Sequence, residues 1–285
     1  MSAALPAEIE ARLAAAAAAL DLERPTIMEL SGGVSNRTFR LRDRSHDYVL
    51  RLAGLSAAGL GASGTSEVAM QALAADAGLA PPLVLADVAA GLVVSRYVAG
   101  RMPTARELQD VRLLRRVGAF IAQLHALEPP PGLPVVDFGE RAAGYLDRVA
   151  AAGVDVFALR LQRELARRRA ALPAPSRRAP CHHDLHHRNF LDDGSRLLAV
   201  DWEYAGPGDP AADLASCIGY NAITGARAEA LYDGYGADAA ELRARVAATG
   251  WIFDCLWYGW NAVAALDGLN PDPEEQSRLA ARLGS

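Results

Sequence analysis

One stretch of the chain carries most of its chemically useful side chains: Cys181-His182-His183-Asp184-Leu185-His186-His187-Arg188-Asn189-Phe190, followed by Leu198-Ala199-Val200-Asp201-Trp202-Glu203. A positioned carboxylate such as Asp184 can accept the proton of an attacking hydroxyl. Phosphoryl transfer asks for little more covalent help than that. It also needs an in-line acceptor and a divalent ion to neutralise phosphate charge. Magnesium-type ions prefer hard oxygen ligands, which the Asn189 amide and the Asp201 carboxylate would supply. The gap between them has room for the turn Asp192-Asp193-Gly194-Ser195 between two short strands.

The same stretch admits a second chemistry. Cys181, His182, His183, His186 and His187 offer the thiolate and imidazole ligands that zinc prefers. Histidines packed this closely along the chain do not easily converge on one ion, and no second ligand cluster stands elsewhere. Packing and loop bracing account for them better.

Further features lie upstream. Ser31-Gly32-Gly33-Val34-Ser35-Asn36-Arg37 falls between two strand-like runs. Its glycines would let backbone approach a phosphate, and Ser35 and Asn36 could donate to one. Glycines between strands also make ordinary hairpins, but this turn precedes the next strand by the interval of a nucleotide-covering loop. That strand, Val49-Leu50-Arg51-Leu52, carries Arg51, whose planar guanidinium can grip phosphate oxygens. Glu67, on the helix that follows, is its expected partner.

The elements that must position these residues follow from periodicity. A short helix is expected over 5–20, then strands at Thr26–Leu30, Thr38–Arg42 and Tyr48–Leu52. A helix over Ser66–Ala77 closes at Gly78, and two further strands, Leu83–Ala86 and Leu92–Tyr97, flank Gly91. Beyond Gly100 the pattern turns helical, with helices expected over Arg106–Leu127 and over Tyr145–Ala171. A strand is expected at Leu197–Trp202, and mainly helix beyond Asp209. The reading is an α+β, bilobal fold: an antiparallel-sheet N-terminal lobe over 1–98 and a mainly helical C-terminal lobe over 99–285, hinged near Tyr97–Arg101.

With these residues in place, the chain resembles the choline/ethanolamine kinase family within the aminoglycoside phosphotransferase superfamily, whose members are protein kinase-like. The resemblance covers about residues 26 to 265 and is most specific over 181–215. It implies that Asp184 is the catalytic base, that Asn189 and Asp201 hold Mg2+, and that His182 braces the loop. It implies ATP as the phosphoryl donor, covered by Gly32, Gly33, Ser35 and Asn36 in a loop similar to the Gly-x-x-Asn-Arg version of choline kinase-like proteins. ATP would be gripped by Arg51 with Glu67, where Val-Leu-Arg replaces the usual kinase lysine segment. Val93–Gly100 resembles the hinge that pairs adenine, through Tyr97 and Val98. His125, in the Leu124-His125-Ala126-Leu127 helix end, reads as structural, and Asp213 as a loop anchor.

The acceptor end rests on aromatics. Trp251, Phe253, Trp257, Tyr258 and Trp260 crowd together near the C-terminus, although aromatic residues make up only 6% of the chain. Trp257 and Trp260 share one side of a helix and could wall a cage for a quaternary ammonium; alternatively they simply pack in a core. The segment resembles the Trp-x-x-Trp helix of choline kinases. Glu203 and Asp254 are the expected partners for a positive headgroup, and Glu203 also resembles the acidic residue of the family's Asp-Phe-Glu-Tyr segment.

Bulk properties narrow the field. A net charge of −5 argues against a nucleic-acid partner. Three scattered cysteines make no disulfide framework and suit a cytoplasmic protein. The Ala14–Leu20 run follows Glu8, Glu10 and Arg12, which is no signal peptide, and no membrane span is expected. The partner is therefore expected to be a small-molecule alcohol or amino alcohol, choline or ethanolamine first. Alternatives are an aminoglycoside, a thiamine-type alcohol, and a pseudokinase scaffold that binds nucleotide without turnover.

Overall fold

The computed structural model describes residues 5–30, 36–54, 62–153, 156–236 and 239–284, with side chains from 242 in the last segment. Five strands form one antiparallel sheet: β1 (Thr26–Leu30), β2 (Asn36–Arg42), β3 (Asp47–Ala53), β4 (Leu83–Asp87) and β5 (Leu92–Arg96), in the order β1-β2-β3-β5-β4. Alternation along β3 sends Tyr48, Leu50 and Leu52 to one face, where they pack with Phe39, Leu41 and Val94 under Leu13 and Ala16 of α1 (Ala7–Ala19). The same two-residue period turns Arg51 to the opposite face. There it meets α2 (Gly64–Asp76), whose N-cap Ser63 accepts a hydrogen bond from the Ser66 amide and whose first turn carries Glu67. The alternation that builds the core therefore also delivers the arginine.

The chain leaves the sheet at Tyr97–Gly100 and pairs at once with the helical part, Arg101 and Asp192 exchanging backbone hydrogen bonds of 3.0 and 2.9 Å. A Cβ on Gly100 would come within 2.8 Å of the Asp192 carbonyl oxygen, so this approach requires glycine. The helical part contains α3 (Val111–His125), α4 (Phe138–Ala152), α5 (Val156–Ala171), α6 (Pro210–Tyr220), α7 (Ala226–Tyr235), α8 (Ala239–Leu266) and α9 (Pro273–Gly284). Four short strands interrupt it: β6 (Ala179–Cys181) pairs with β9 (Gly206–Gly208), and β7 (Phe190–Asp192) with β8 (Leu197–Ala199). The core between them joins Leu114, Val117, Ile121 and Leu124 of α3 to Leu185, Phe190, Trp202 and Leu214.

Three sequence expectations need correction. The single helix over Tyr145–Ala171 is two, because α4 begins earlier, capped by Asp137, and ends where Gly153 leaves helical geometry with an extended backbone. The long helix expected from Arg106 starts at Val111, where Asp110 caps it, after a separate 3₁₀ turn at Glu107–Gln109. The strand expected to reach Trp202 stops at Ala199; Asp201 has φ 63°, outside the pleated range. No helix among the described residues is long and apolar enough to cross a membrane.

Candidate active site

The loop between β6 and β7 is fastened from below by one carboxylate. Pro210 and the N-cap Asp209 start α6, which sets Asp213 in its first turn and fully buried. Asp213 accepts the backbone N–H groups of His182 (2.9 Å) and His183 (2.6 Å), and His125 Nε2 lies 3.1 Å from it. Burial alone would raise the Asp213 carboxyl; the His125 hydrogen bond and charge, with the His182 amide, pull it down to about 2. His125 in turn meets the Tyr235 hydroxyl at 2.9 Å, and Cys181 Sγ lies 3.8 Å from its Nε2. These groups hold His183 in a left-handed conformation (φ 67°), which reverses the chain just before Asp184.

Past that reversal, a 3₁₀ turn at His187–Asn189 folds Asn189 back onto Asp184. Asn189 Nδ2 donates to both the carbonyl oxygen and Oδ2 of Asp184, each at 2.8 Å. The Asn189 amide oxygen thus points away from Asp184. Its backbone carbonyl accepts the Val200 N–H at 3.0 Å, which brings the loop alongside Asp201. Asp201 Oδ1 is buried and has no hydrogen-bond partner among the described residues. Burial raises this carboxyl, against the opposing charge of Arg51. A buried orphan carboxylate oxygen and an amide oxygen turned away from Asp184 are donor types suited to a hard cation. His182 lies beneath, its Nε2 3.0 Å from the Val200 carbonyl oxygen and its ring 4.6 Å from that of Trp202. Burial lowers its pKa, so it is a neutral brace between the loop and the Asp201 segment.

On the sheet side, Arg51 is in ion-pair contact with Glu67, and its Nη1 lies 3.7 Å from Glu203 Oε2. That Nη1 is buried and makes no hydrogen bond to any described residue. Asn36 Nδ2 donates to Glu203 Oε2 at 2.9 Å. Burial, followed by the Asp201 charge, raises the Glu203 carboxyl. Glu203 was expected to meet an acceptor headgroup; it instead ties the sheet to the Asp201 segment, because Arg51 and Asn36 reach its carboxylate first. Gly32, Gly33 and Ser35 lie outside the described residues. At the hinge, the Tyr97 N–H is already bonded to the Asp47 carbonyl oxygen (2.9 Å) and its ring stacks 3.6 Å under Arg40. Of the two hinge residues, this leaves Val98 better placed to offer an amide.

The opposite side of Asp184 is aromatic. The Tyr220 ring lies 5.7 Å from that of His186, whose Nε2 is 3.6 Å from Asp184 Oδ2, and 4.7 Å from those of Trp257 and Phe253. Trp260 Nε1 donates to the Tyr204 hydroxyl at 3.1 Å. Burial raises the Tyr204 and Tyr220 phenols, and the charge of Asp184 adds to both shifts. Trp257, Trp260, Tyr204 and Tyr220 are each only partly buried; Tyr220, Trp257 and Trp260 rest on the core of α4, α5 and α8 and leave part of their surface accessible. Asp254 does not join them. Its carboxylate is taken instead by Arg282 of α9, in a bidentate pair at 2.6 and 3.0 Å. Tyr204 ends the Asp201-Trp202-Glu203-Tyr204 run that resembles the family's Asp-Phe-Glu-Tyr segment, a signal that could have flagged it, whereas Tyr220 carried no motif and is marked only by its place at the end of α6.

The zinc alternative is not supported. His182 turns to Val200, His183 packs against Phe138, His186 against Tyr220, and His187 bonds Asn221 through its backbone. Among the described residues only His125, Cys181 and Asp213 bring potential ligand atoms together, and they are already partners of one another or of the loop backbone.

The model of a family described as "phosphotransferase enzyme family" matches residues 26–249, most of the chain, including Arg51, Asp184, Asn189, Asp201 and Tyr220 but ending before Trp257 and Trp260. The chain belongs to the phosphotransferase enzyme family. Solved structures place this phosphotransferase among protein kinase-like folds. A choline/ethanolamine kinase family protein from Mesorhizobium loti is 27% identical, with a TM-score of 0.79 over 97% of this chain and 93% of that one. The choline kinase LicA of Streptococcus pneumoniae, also solved in complex with AMP, shares the fold at 20% identity, with a TM-score of 0.80 over 98% of both chains. Thiamine kinase of Escherichia coli is 47% identical over 49 residues; the match spans 17% of this chain and 18% of that relative's length. As a member of its family this chain is a phosphotransferase enzyme, and its fold is the one small-molecule kinases use.

Proposed function

We propose that the protein moves the terminal phosphoryl group of ATP to the hydroxyl of a small amino alcohol of the choline or ethanolamine type. One observation carries the reading: Asp184, oriented by Asn189 on the loop that pairs with the segment of the orphaned Asp201 oxygen, is linked through His186 to the partly accessible rings of Tyr220 and Trp257. Asp184 accepts the acceptor's proton as its oxygen bonds to phosphorus and the bond to ADP breaks. Asn189 Oδ1 and Asp201 would hold Mg2+, which supplies charge neutralisation at the phosphates. Arg51, steadied by Glu67 and Glu203, binds phosphate oxygens through its unsatisfied Nη1. The Val98 amide meets adenine. We assign residues 1–98 to a nucleotide lobe and 99–285 to a catalytic and acceptor lobe. The buried free thiols Cys181, Cys217 and Cys255 suit the reducing cytoplasm.

The local match to thiamine kinase favours a second acceptor, since an aromatic wall also suits a flat cationic ring. ADP release measured with choline, ethanolamine, thiamine and kanamycin tests both, with Asp184→Asn as control. Acceptor-dependent release by wild type and not by the variant is the expected result. Equal rates in the two proteins would overturn the assignment of the base, and no release with any acceptor would overturn the amino-alcohol reading.

A further inference from the structure

His186 is held more firmly than a partly exposed loop residue needs. Asn221, buried at the C-cap of α6, fastens the chain on both sides of it. Its Nδ2 donates to the carbonyl oxygens of Leu185 and Cys217, at 3.0 and 2.8 Å, and its Oδ1 accepts the His187 N–H at 3.0 Å. The imidazole is fixed in its turn. Nδ1 accepts the Arg188 N–H at 3.2 Å, capping the 3₁₀ turn, and the Tyr220 ring meets the imidazole edge-to-face at 5.7 Å and 88°. A backbone N–H can only donate, so Nδ1 is the unprotonated nitrogen and Nε2 carries the ring proton.

The protonated nitrogen is the one beside the base. Nε2 lies 3.6 Å from Asp184 Oδ2, the same oxygen that accepts from Asn189 Nδ2 at 2.8 Å. That separation exceeds a hydrogen bond, and contacts of this kind commonly tighten once reactants are seated. Neither donor addresses Oδ1. An oxygen that accepts two N–H groups has its lone pairs engaged and is the weaker base of the pair. We infer that His186 is a positioning residue for phosphoryl transfer: its Nε2–H joins Asn189 on Oδ2 of Asp184 and leaves Oδ1 to take the acceptor's proton. The acceptor oxygen bonds to phosphorus as its proton passes to Oδ1 and the bond to ADP breaks. This rests on the phosphotransfer reading above and refines it.

The cap and the aim of His186 can be separated by substitution, and its side chain is 30% exposed, so replacing it opens no core cavity. Asn reproduces the Nδ1 cap but is too short to reach Asp184, whereas Gln carries an amide N–H about as far as Nε2 but caps poorly. His186→Asn should lower kcat by about 10- to 100-fold, with the acceptor KM and the calorimetric ATP affinity near wild type. His186→Gln should restore part of kcat. A residue that only caps the turn would give the reverse order. His186→Asn at wild-type kcat, or His186→Gln no better than His186→Asn, therefore overturns the inference. ATP calorimetry verifies that each variant is folded. Should a variant not fold, nitrogen NMR of histidine-labelled wild type in mildly alkaline buffer decides. It should place the His186 ring proton on Nε2, and a proton on Nδ1 overturns the inference. A wild type that binds ATP yet phosphorylates none of choline, ethanolamine, thiamine and kanamycin overturns the phosphotransfer reading, and this inference with it.

Discussion

Asn189 Nδ2 sits 2.8 Å from both the carbonyl oxygen and Oδ2 of Asp184, so one amide group fixes the backbone and the carboxylate of the proposed base together. Asp184→Asn removes the proton acceptor but leaves the fastening intact. We expect kcat to fall by about 10²–10⁴-fold, with ATP affinity near that of wild type. Asn189→Ala should cost both turnover and the Mg2+ dependence of ATP binding. Single-turnover kinetics and calorimetry with and without Mg2+ separate the two, and an Asn189→Ala protein that retains full Mg2+ dependence would remove that residue from the metal site.

Asp213 holds the loop through a charge that the fold needs ionised. Its carboxyl falls from an ordinary value near 3.8 to about 2 in the folded protein. A depressed folded pKa gives stability that is present above the unfolded value and lost as pH falls through the folded one. The shift corresponds to about 2 kcal/mol, lost between about pH 5 and pH 2. Asp213→Ala, which strands His125 and two backbone amides, should cost about 3–5 kcal/mol at neutral pH. Chemical denaturation across this pH range gives the check: the gap between wild type and variant should narrow on acidification. Parallel curves would mean the carboxylate charge contributes nothing.

What the sequence revealed of this site, and what it hid, follows from how far apart the partners lie along the chain. Asp184 and Asn189 stand five residues apart, and the turn that joins them is local, so their pairing could be read from spacing. Strand alternation likewise put Arg51 opposite Leu50 and Leu52, facing a helix with Glu67 in its first turn. The orientation of Asp254 was not legible. It lies three residues from Trp257, but α9 returns to place Arg282 against it, a contact across 28 residues that no local period reports. Glu203 was misplaced for a related reason: its partner Asn36 is 167 residues away, on the sheet. Arg141 had no motif, and it meets Tyr204 only through tertiary packing.

Arg51 touches Glu67 and lies 3.7 Å from Glu203, yet keeps a buried Nη1 without a hydrogen bond. If phosphate oxygens complete it, Arg51→Ala should raise the KM for ATP by about ten- to hundredfold, the equivalent of about 1.5–3 kcal/mol for a charge-assisted hydrogen bond. The acceptor KM should change little. Arg51→Lys should recover part of the loss, because the charge remains but the planar fork does not. An ATP KM unmoved in Arg51→Ala would show that the arginine serves only to join β3 to α2.

Trp257 and Asp254 sit on one turn of α8 yet face different surroundings, which makes them a paired test of where the acceptor binds. Trp257 meets the Tyr220 ring edge-to-face, whereas Asp254 is bound to Arg282. Trp257→Ala should raise the acceptor KM by about 2- to 30-fold, matching a cation–π contact of about 0.5–2 kcal/mol. It should leave the ATP KM alone. Asp254→Asn should leave both constants near wild type and lower stability by no more than about 1 kcal/mol, as befits a half-exposed ion pair. Steady-state kinetics and thermal unfolding of the two variants side by side give the answer. A larger acceptor defect in Asp254→Asn than in Trp257→Ala would move the acceptor to the α9 side of the helix, away from Tyr220.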